Sequence, residues 1–178
     1  MPAAARSLKA RALQWLAQRE QSRVELRRKL LRQARADLAG DEHEEGVTEQ
    51  VDAVLDWLEA NGYLSAERFV ESRVHARAAR YGNLRIRQEL QQHQLGLSGE
   101  LAQTLGASEI DRARAVRARR FAEPPRDAGE RARQARFLIG RGFSSDAVRA
   151  ALRAPGAESG SSDDAEDEGG AEATTPGD

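Results

Sequence analysis

Cysteine is absent from the 178-residue chain, and no uncharged apolar run approaches the length needed to cross a bilayer. Without cysteine the chain has no disulfide scaffold, no thiolate zinc site and no thiol nucleophile. The first residues also lack the apolar stretch of a signal peptide. We therefore expect a soluble, cytoplasmic protein that has no membrane among its partners.

Aromatic residues are scarce, at 4 % of the chain, and much of the 39 % apolar content is alanine. Alanine buries little surface, so at about 25 cal/mol per Å² each short helix adds little to a central core. This composition favours an extended array of small helices over one large globule.

Lysine is almost missing too, because Lys9 and Lys29 are the only lysines among 28 basic residues and the other 26 are arginines. The net charge of −1 conceals a segregation of charge, since eight of the 29 acidic residues follow Arg153 and no basic residue does. The first 154 residues therefore carry 28 positive and 21 negative charges, a net charge of +7. A basic body with an acidic tail is typical of a protein with a polyanionic partner, or with a partner that has an acidic face.

Residue clusters for catalysis or metal binding do not stand out in the sequence. His43, His75 and His93 lie in different segments, without carboxylates at ligand spacing around them. Neither of the familiar glycine-rich phosphate loops occurs. We therefore expect a protein that is not an enzyme, with no metal, no cofactor and no small-molecule substrate.

Helical periodicity runs through the body of the chain, where β-branched residues are sparse and no long alternation of apolar and polar residues occurs. Capping residues, glycines and prolines divide this pattern into segments. Ser22 and Glu25 form a capping box, and Ser65 caps a later helix. The nine predicted helices span about 8–19, 23–39, 48–60, 66–80, 84–94, 98–105, 109–122, 127–140 and, beginning at 144 or 145, the segment up to 152.

A motif of glycine, large apolar residue and hydroxyl residue recurs as Gly-Val-Thr at 46–48, Gly-Leu-Ser at 96–98 and Gly-Phe-Ser at 142–144. In each motif the hydroxyl residue is predicted to cap the helix that follows. Nine helices and three such turns predict an all-α fold of three tandem three-helix repeats in an elongated, curved, solenoid-like body. The assigned segments are a flexible N-terminus (1–7), the three repeats (8–60, 61–106 and 107–153) and a disordered acidic tail (154–178).

Arginines cluster in corresponding helices of the three repeats, which would let them line one continuous surface. Arg73, Arg77 and Arg80 share one helix face with only Glu71 near them in the sequence, so their mutual repulsion favours an external anion. The alternative is a solvated face held by weak ion pairs. The predicted set for binding an acidic protein face or DNA phosphate is Arg23, Arg27, Arg28, Arg73, Arg77, Arg80, Arg85, Arg87, Arg131, Arg133, Arg136 and Arg141.

Aromatic side chains at helical positions are predicted to belong to the core, because they recur beside leucine, valine and isoleucine. Two tyrosines lie at turns instead, and Tyr63 and Tyr81 are therefore the candidates for exposed aromatic residues. The predicted core aromatics are Trp15, Trp57, Phe69, Phe121, Phe137 and Phe143.

Four stretches carry a resemblance to known proteins: LQWLAQREQSRVELRRKL (13–30), GYLSAERF (62–69), RYGNLRIRQEL (80–90) and RQARFLIGRGFS (133–144). In this order and at this spacing they resemble the RecX family, the regulators of the bacterial recombinase RecA. The resemblance covers about residues 8–152. The loop 40–46 is longer and more acidic than this family leads us to expect, and the acidic tail lies outside the shared pattern.

The resemblance implies a protein that binds RecA filaments on single-stranded DNA and lowers filament extension, ATP hydrolysis and strand exchange, and so modulates recombination and DNA repair. It implies three tandem three-helix repeats and no catalytic site. We expect a monomer whose arginines contact RecA, DNA directly, or both. The alternative is a general basic helical DNA-binding protein without RecA specificity, which would show a steep salt dependence on bare DNA.

The acidic tail is predicted to screen the basic body and to discourage loose binding to DNA. Truncation after Arg153 removes eight negative charges and no positive charge, so we expect the truncated protein to bind DNA more tightly at low salt. Titration of labelled DNA with both proteins measures the effect. Equal affinities at low salt would contradict the screening role.

Overall fold

A computed structural model describes residues 7–37 and 44–153. Nine α-helices and no strand occupy these residues: α1 (Leu8–Gln18), α2 (Arg23–Asp37), α3 (Glu44–Ala60), α4 (Ala66–Ala78), α5 (Asn83–Gln91), α6 (Gly99–Ala107), α7 (Glu109–Arg120), α8 (Ala128–Gly140) and α9 (Ser145–Ala151). None of the helices in this part of the chain is long and apolar enough to span a membrane. The predicted disordered tail and most of the acidic loop 40–46 lie outside the described residues.

Hydroxyl side chains begin several of these helices, as the sequence predicts. The Ser65, Ser98 and Ser144 hydroxyls accept hydrogen bonds from the amides three residues ahead, at 3.2–3.3 Å. Each bond satisfies one amide that has no partner inside its own helix. The caps of α4, α6 and α9 are therefore set by local sequence.

The predicted capping box at α2 forms on one side only. The Ser22 hydroxyl accepts a hydrogen bond from the Glu25 amide at 3.1 Å. The Glu25 carboxylate does not reach back to Ser22, because it is paired with Arg19. Burial opposes ionisation of Glu25, but the hydrogen bond and charge of Arg19 outweigh that effect and lower the pKa of the carboxyl group.

The prediction that Thr48 caps the third helix is wrong, because α3 already begins at Glu44 and contains Thr48. Gly46 lies within the helix, at a cost of about 1 kcal/mol relative to alanine. Val47 and Val51 are one turn apart and both are buried. The apolar stripe thus begins one turn earlier than the capping pattern indicates, and its burial offsets the cost of Gly46.

Three separate hydrophobic clusters, each formed by three consecutive helices, make up the core of the described residues. We call the helix triplets the first unit (α1–α3), the second unit (α4–α6) and the third unit (α7–α9). Leu26, Leu30 and Leu55 are fully buried in the first cluster, Ile86 and Leu90 in the second. The third cluster contains the fully buried residues Ala113 and Leu138, together with Phe143. This arrangement confirms the all-α fold of three-helix repeats in series.

Polar contacts join the first unit to the second. The Ser22 hydroxyl and the His93 Nδ1 share a hydrogen bond of 2.8 Å, and Arg68 Nε donates to the Glu20 carboxylate at 2.8 Å. The His93 ring also meets Phe69 edge-on, with centroids 4.9 Å apart. Burial, reinforced by the charge of Arg73, lowers the pKa of His93. The neutral imidazole is therefore the form that fits this joint.

Main chain packs directly on main chain where the second unit meets the third. The Gly82 amide donates to the Arg141 carbonyl, and the Leu84 amide donates to the Gly142 carbonyl, both at 3.0 Å. A Cβ atom on Gly82 would lie 2.2 Å from the Gly142 oxygen, which no ordinary contact allows. Gly142 has a φ of +81°, in the region that favours glycine. We call this contact the glycine joint.

Two charged residues of α7 complete the glycine joint. The buried Glu109 carboxylate accepts hydrogen bonds from the Asn83 amide and the Ser144 hydroxyl, both at 2.8 Å, and so binds the N-termini of α5 and α9. Arg112 donates to the Tyr81 carbonyl at 3.0 Å and to the Asn83 side chain at 2.6 Å. Burial lowers the pKa of Arg112, although the negative charge of Glu109 acts to raise it. Together these residues fix the third unit on the second.

Replacement of Gly82 by alanine tests the glycine joint. The new methyl group would overlap the carbonyl of Gly142, so we expect Gly82→Ala to lower the free energy of unfolding by about 1–3 kcal/mol. Gly106→Ala is the matched control, because a Cβ at this exposed helical position meets nothing within 4 Å. The control is expected to be neutral or to stabilise by up to about 1 kcal/mol. Equal midpoints in chemical denaturation of the two variants would contradict the close contact.

His93 is expected to make stability depend on pH. An unfolded histidine titrates near pH 6.5, and the folded group titrates lower, so the unfolded chain binds the proton first. The contribution of neutral His93 to the free energy of unfolding is complete above about pH 6.5. It is lost as the pH falls through the pKa of His93 in the folded state. Between about pH 7.5 and pH 5 the unmodified protein should therefore lose more stability than His93→Gln.

The control for this measurement is His75→Gln, because His75 is exposed on α4 and lies outside the joint. Denaturant titrations at several pH values give the stability of each protein. If His93→Gln and His75→Gln follow the same pH dependence, His93 does not make the contact between the first and second units sensitive to pH.

Candidate functional site

Arginines of the first unit are largely committed to contacts inside the unit. Arg23 donates to Asp56 at 2.7 Å and to Glu59 at 2.6 Å, and Arg27 binds both oxygens of Asp52 at 2.6 and 2.9 Å. Hydrogen bonding to Asp56 and to Asp52 raises the pKa of Arg23 and Arg27, respectively, and the pKa of Asp52 is lowered in turn. These two arginines thus connect α2 to α3. Arg28, the third predicted residue here, is exposed.

Two arginines of the second unit share one carboxylate that the sequence does not place beside them. Arg73 and Arg77 on α4 approach Glu89 on α5 at 3.3 and 2.9 Å. The hydrogen bonds that Arg77 donates to the Glu89 carboxylate raise the pKa of Arg77. The pair therefore has a compensating acid, although Glu71 is the only acid near it in the sequence. Arg80, at the end of the same face, makes no ion pair in the described part of the chain.

Tyr81 lies at the centre of an arginine cluster. The guanidinium carbons of Arg77, Arg85 and Arg141 are 5.8, 5.9 and 5.6 Å from the centre of its ring. Such distances permit a cation–π attraction. Tyr81 is half-buried, whereas Tyr63, the other predicted tyrosine, is exposed and stacks on Trp57 with ring centres 5.5 Å apart. The Tyr81 ring thus holds arginines from two units beside each other.

A second arginine–aromatic cluster continues from the first along the third unit. Arg141 also lies 5.1 Å from the Phe137 ring centre, and Phe137 meets Phe121 edge-on at 5.4 Å. Arg133 lies 5.4 Å from the centre of the Phe121 ring. Phe121 and Phe137 are half-buried, so these two aromatics only partly fit the prediction of a core position. Phe69 and Phe143 are buried as predicted.

Four arginines from three helix ends surround one open cavity of about 400 Å³. Its lining consists of Ala79, Arg80, Val116, Arg119, Arg120, Phe137 and Arg141. We call it the four-arginine cavity. Arg80 and Arg141 belong to the predicted set, whereas the sequence analysis missed Arg119 and Arg120. The dense run of arginines from 112 to 120 was the available signal, but periodicity alone does not show which of them meet the end of α4.

The remaining predicted arginines lie apart from this cavity. Arg87, Arg131 and Arg136 are exposed, and none of them makes an ion pair within residues 7–37 and 44–153. The second and third units therefore display many more uncompensated arginines than the first unit does. Such a surface is suited to a partner that carries several negative charges.

Comparison with known proteins fits this architecture. Models of the second and third three-helix domains of RecX match residues 67–104 and 107–152. The regulatory protein RecX of Ralstonia nicotianae is 54 % identical over 140 residues, which cover 78 % of this chain and 81 % of the relative. The chain belongs to the RecX family of regulatory proteins. Another RecX, from Herbaspirillum seropedicae, is 48 % identical over 157 residues, which cover 86 % and 94 % of the two chains.

A solved member of the RecX family supports the fold independently. The crystal structure of RecX from Lactobacillus salivarius superposes with a TM-score of 0.58, covering 82 % of this chain and 92 % of that chain, at 17 % sequence identity. At this low identity the likeness concerns the fold alone. The arrangement of helices is thus shared between sequences that have diverged widely.

Proposed function

We propose that this protein binds RecA filaments on single-stranded DNA and restrains them, so that filament extension, ATP hydrolysis and strand exchange decrease. Membership of the RecX family is the observation that carries the proposal. A regulator needs a surface for its partner rather than a catalytic centre. The uncompensated arginines of the second and third units supply such a surface.

The serial arrangement of units supports a filament as the target. A filament repeats the same surface along its axis, so a body built of units in series can contact more than one protomer. Several weak contacts on one body add up to avidity, and affinity for a filament then exceeds affinity for a single protomer. The glycine joint keeps the arginines of the second and third units in fixed relative positions, which limits the entropy lost on binding.

Restraint follows from simultaneous contact with neighbouring protomers. Protomers that are held in one geometry cannot make the movements that accompany nucleotide turnover. A body lying in the groove of a filament also blocks the path of a second duplex. Both effects require the regulator to act on the assembled filament, and this requirement can be tested by stoichiometry.

ATP hydrolysis by RecA on single-stranded DNA tests the proposal directly. We expect inhibition at well below one molecule of this protein per RecA protomer, because one bound regulator restrains a stretch of filament. Turnover is measured over a range of ratios at constant RecA and DNA. An absence of inhibition at every ratio would overturn the proposal.

Capture experiments at moderate salt distinguish filament binding from general DNA binding. RecA-coated and bare single-stranded DNA are immobilised in equal amounts, and retention of this protein is compared. A filament regulator is retained more strongly on coated DNA. Equal retention on both supports, with a steep loss of binding as salt rises, would favour a general DNA-binding protein.

A further inference from the structure

We propose that the four-arginine cavity binds phosphate groups of a single nucleic-acid strand. The inference deepens the function proposed above and depends on it for its biological setting, although its test needs no recombinase. It assigns a ligand to Arg80, Arg119, Arg120 and Arg141, which come from both the second and the third unit.

Charge is the first argument for an anionic ligand. The lining of the cavity contains four arginines and no acidic residue. By contrast, the neighbouring cavity beside Tyr81 includes Glu89. The cavity beside Phe121, which Arg120 also lines, includes Glu123 and Glu130, and Glu123 is paired with Arg126 rather than with Arg120. Arg119 donates to the Ala79 carbonyl at 3.0 Å, and the other three arginines of the cavity make no ion pair among the residues that the structure describes. The positive charge of the cavity is therefore not neutralised by side chains.

Helix ends account for only part of this charge. The cavity lies at the C-terminal ends of α4, α7 and α8, each of which carries about −0.5 of an elementary charge. Cations are favourable at such ends, which explains why the arginines tolerate one another. Against four guanidinium groups, three helix ends leave an excess of about +2.5 elementary charges. That excess is available to an external anion.

Preorganisation is the second argument. The Arg141 guanidinium lies between Tyr81 and Phe137, at 5.6 and 5.1 Å from their ring centres, and Arg119 is held by its hydrogen bond to Ala79. Arginine side chains that are already positioned lose less conformational entropy when they bind a ligand. The planar guanidinium fork can also bind two phosphate oxygens at once. The cavity is thus built to bind a phosphate rather than merely to attract one.

The aromatic neighbours favour a nucleic-acid strand over an acidic protein face. Arginines and rings form one continuous series of contacts: Arg85, Tyr81, Arg141, the adjacent pair Phe137 and Phe121, and Arg133. Single-strand binding proteins combine a positive track for the backbone with ring or guanidinium planes on which bases stack. An acidic face of a partner protein could be bound by the arginine charges alone and would not require the aromatic rings. The interleaving therefore points to a strand that runs across the joint between the second and third units.

Salt dependence of DNA binding tests the assignment. The full chain and its variants are titrated into a labelled oligothymidylate of about 16 nucleotides, and anisotropy is followed at several salt concentrations. Each phosphate contact that is lost should reduce the log–log slope by about 0.7. We expect this reduction for Arg120→Gln, and about twice as much for Arg80→Gln combined with Arg120→Gln. Arg80 and Arg120 are exposed, so these substitutions do not disturb the core.

Arg114→Gln is the matched control. Arg114 lies on α7, as Arg120 does, is exposed and is paired with Asp111 at 3.1 Å, and its replacement changes the net charge by the same amount. We expect the control to keep the slope of the unmodified protein. If the cavity variants and the control give the same slope, the assignment of phosphate to the cavity is overturned.

Two further measurements distinguish other ligands. In calorimetry we expect pyrophosphate to bind more weakly than the oligonucleotide, because it offers fewer phosphate groups. Saturable pyrophosphate binding that is lost in the double variant, with an unchanged DNA slope, would replace the strand by a soluble polyphosphate. An unchanged DNA slope with loss of RecA inhibition would assign the cavity to the recombinase instead. Because the DNA titration contains no RecA, the assignment and the proposed function can fail separately.

Discussion

The close contact between the Gly82 and Gly142 main chains is the constraint on which the rest of the structure depends. Two glycines let the turn after α4 and the turn after α8 approach until their amides and carbonyls form hydrogen bonds of 3.0 Å. Any larger residue at Gly82 would separate the second and third units. Arg80 lies two residues before Gly82, and Arg141 directly precedes Gly142. The glycine joint therefore also brings arginines of two units to one cavity.

Buried charge makes this joint specific as well as close. Glu109 and Arg112 would each be costly to bury alone, and the structure satisfies them with backbone and side-chain partners from both units. Only one relative position of the units provides all these partners at once. A purely apolar contact between small alanine-rich helices could slide, whereas a polar network with fixed partners permits a single arrangement. The body is therefore rigid at the point where its arginine surface is densest.

Local sequence was enough to predict most of the fold. Apolar spacing and serine caps place the helices to within a few residues, because both are decided by neighbours along the chain. Thr48 shows the limit: its capping pattern was outweighed by the burial of Val47 and Val51. The partners of the arginines were not predictable, since Asp52 and Glu89 lie on other helices. The four-arginine cavity was missed in part for the same reason, because it exists only where the ends of α4, α7 and α8 meet.

The arginines consequently serve two purposes that composition alone cannot separate. In the first unit, Arg23 and Arg27 compensate acids of α3 and hold two helices together. Near the glycine joint, Arg80 and Arg141 have rings and helix ends as neighbours instead of carboxylates. The first set stabilises the folded chain by itself, whereas the second set is left with positive charge that no carboxylate pairs with in the described residues. The positive charge available to a partner is thus smaller than the count of arginines suggests, and it is concentrated on the second and third units.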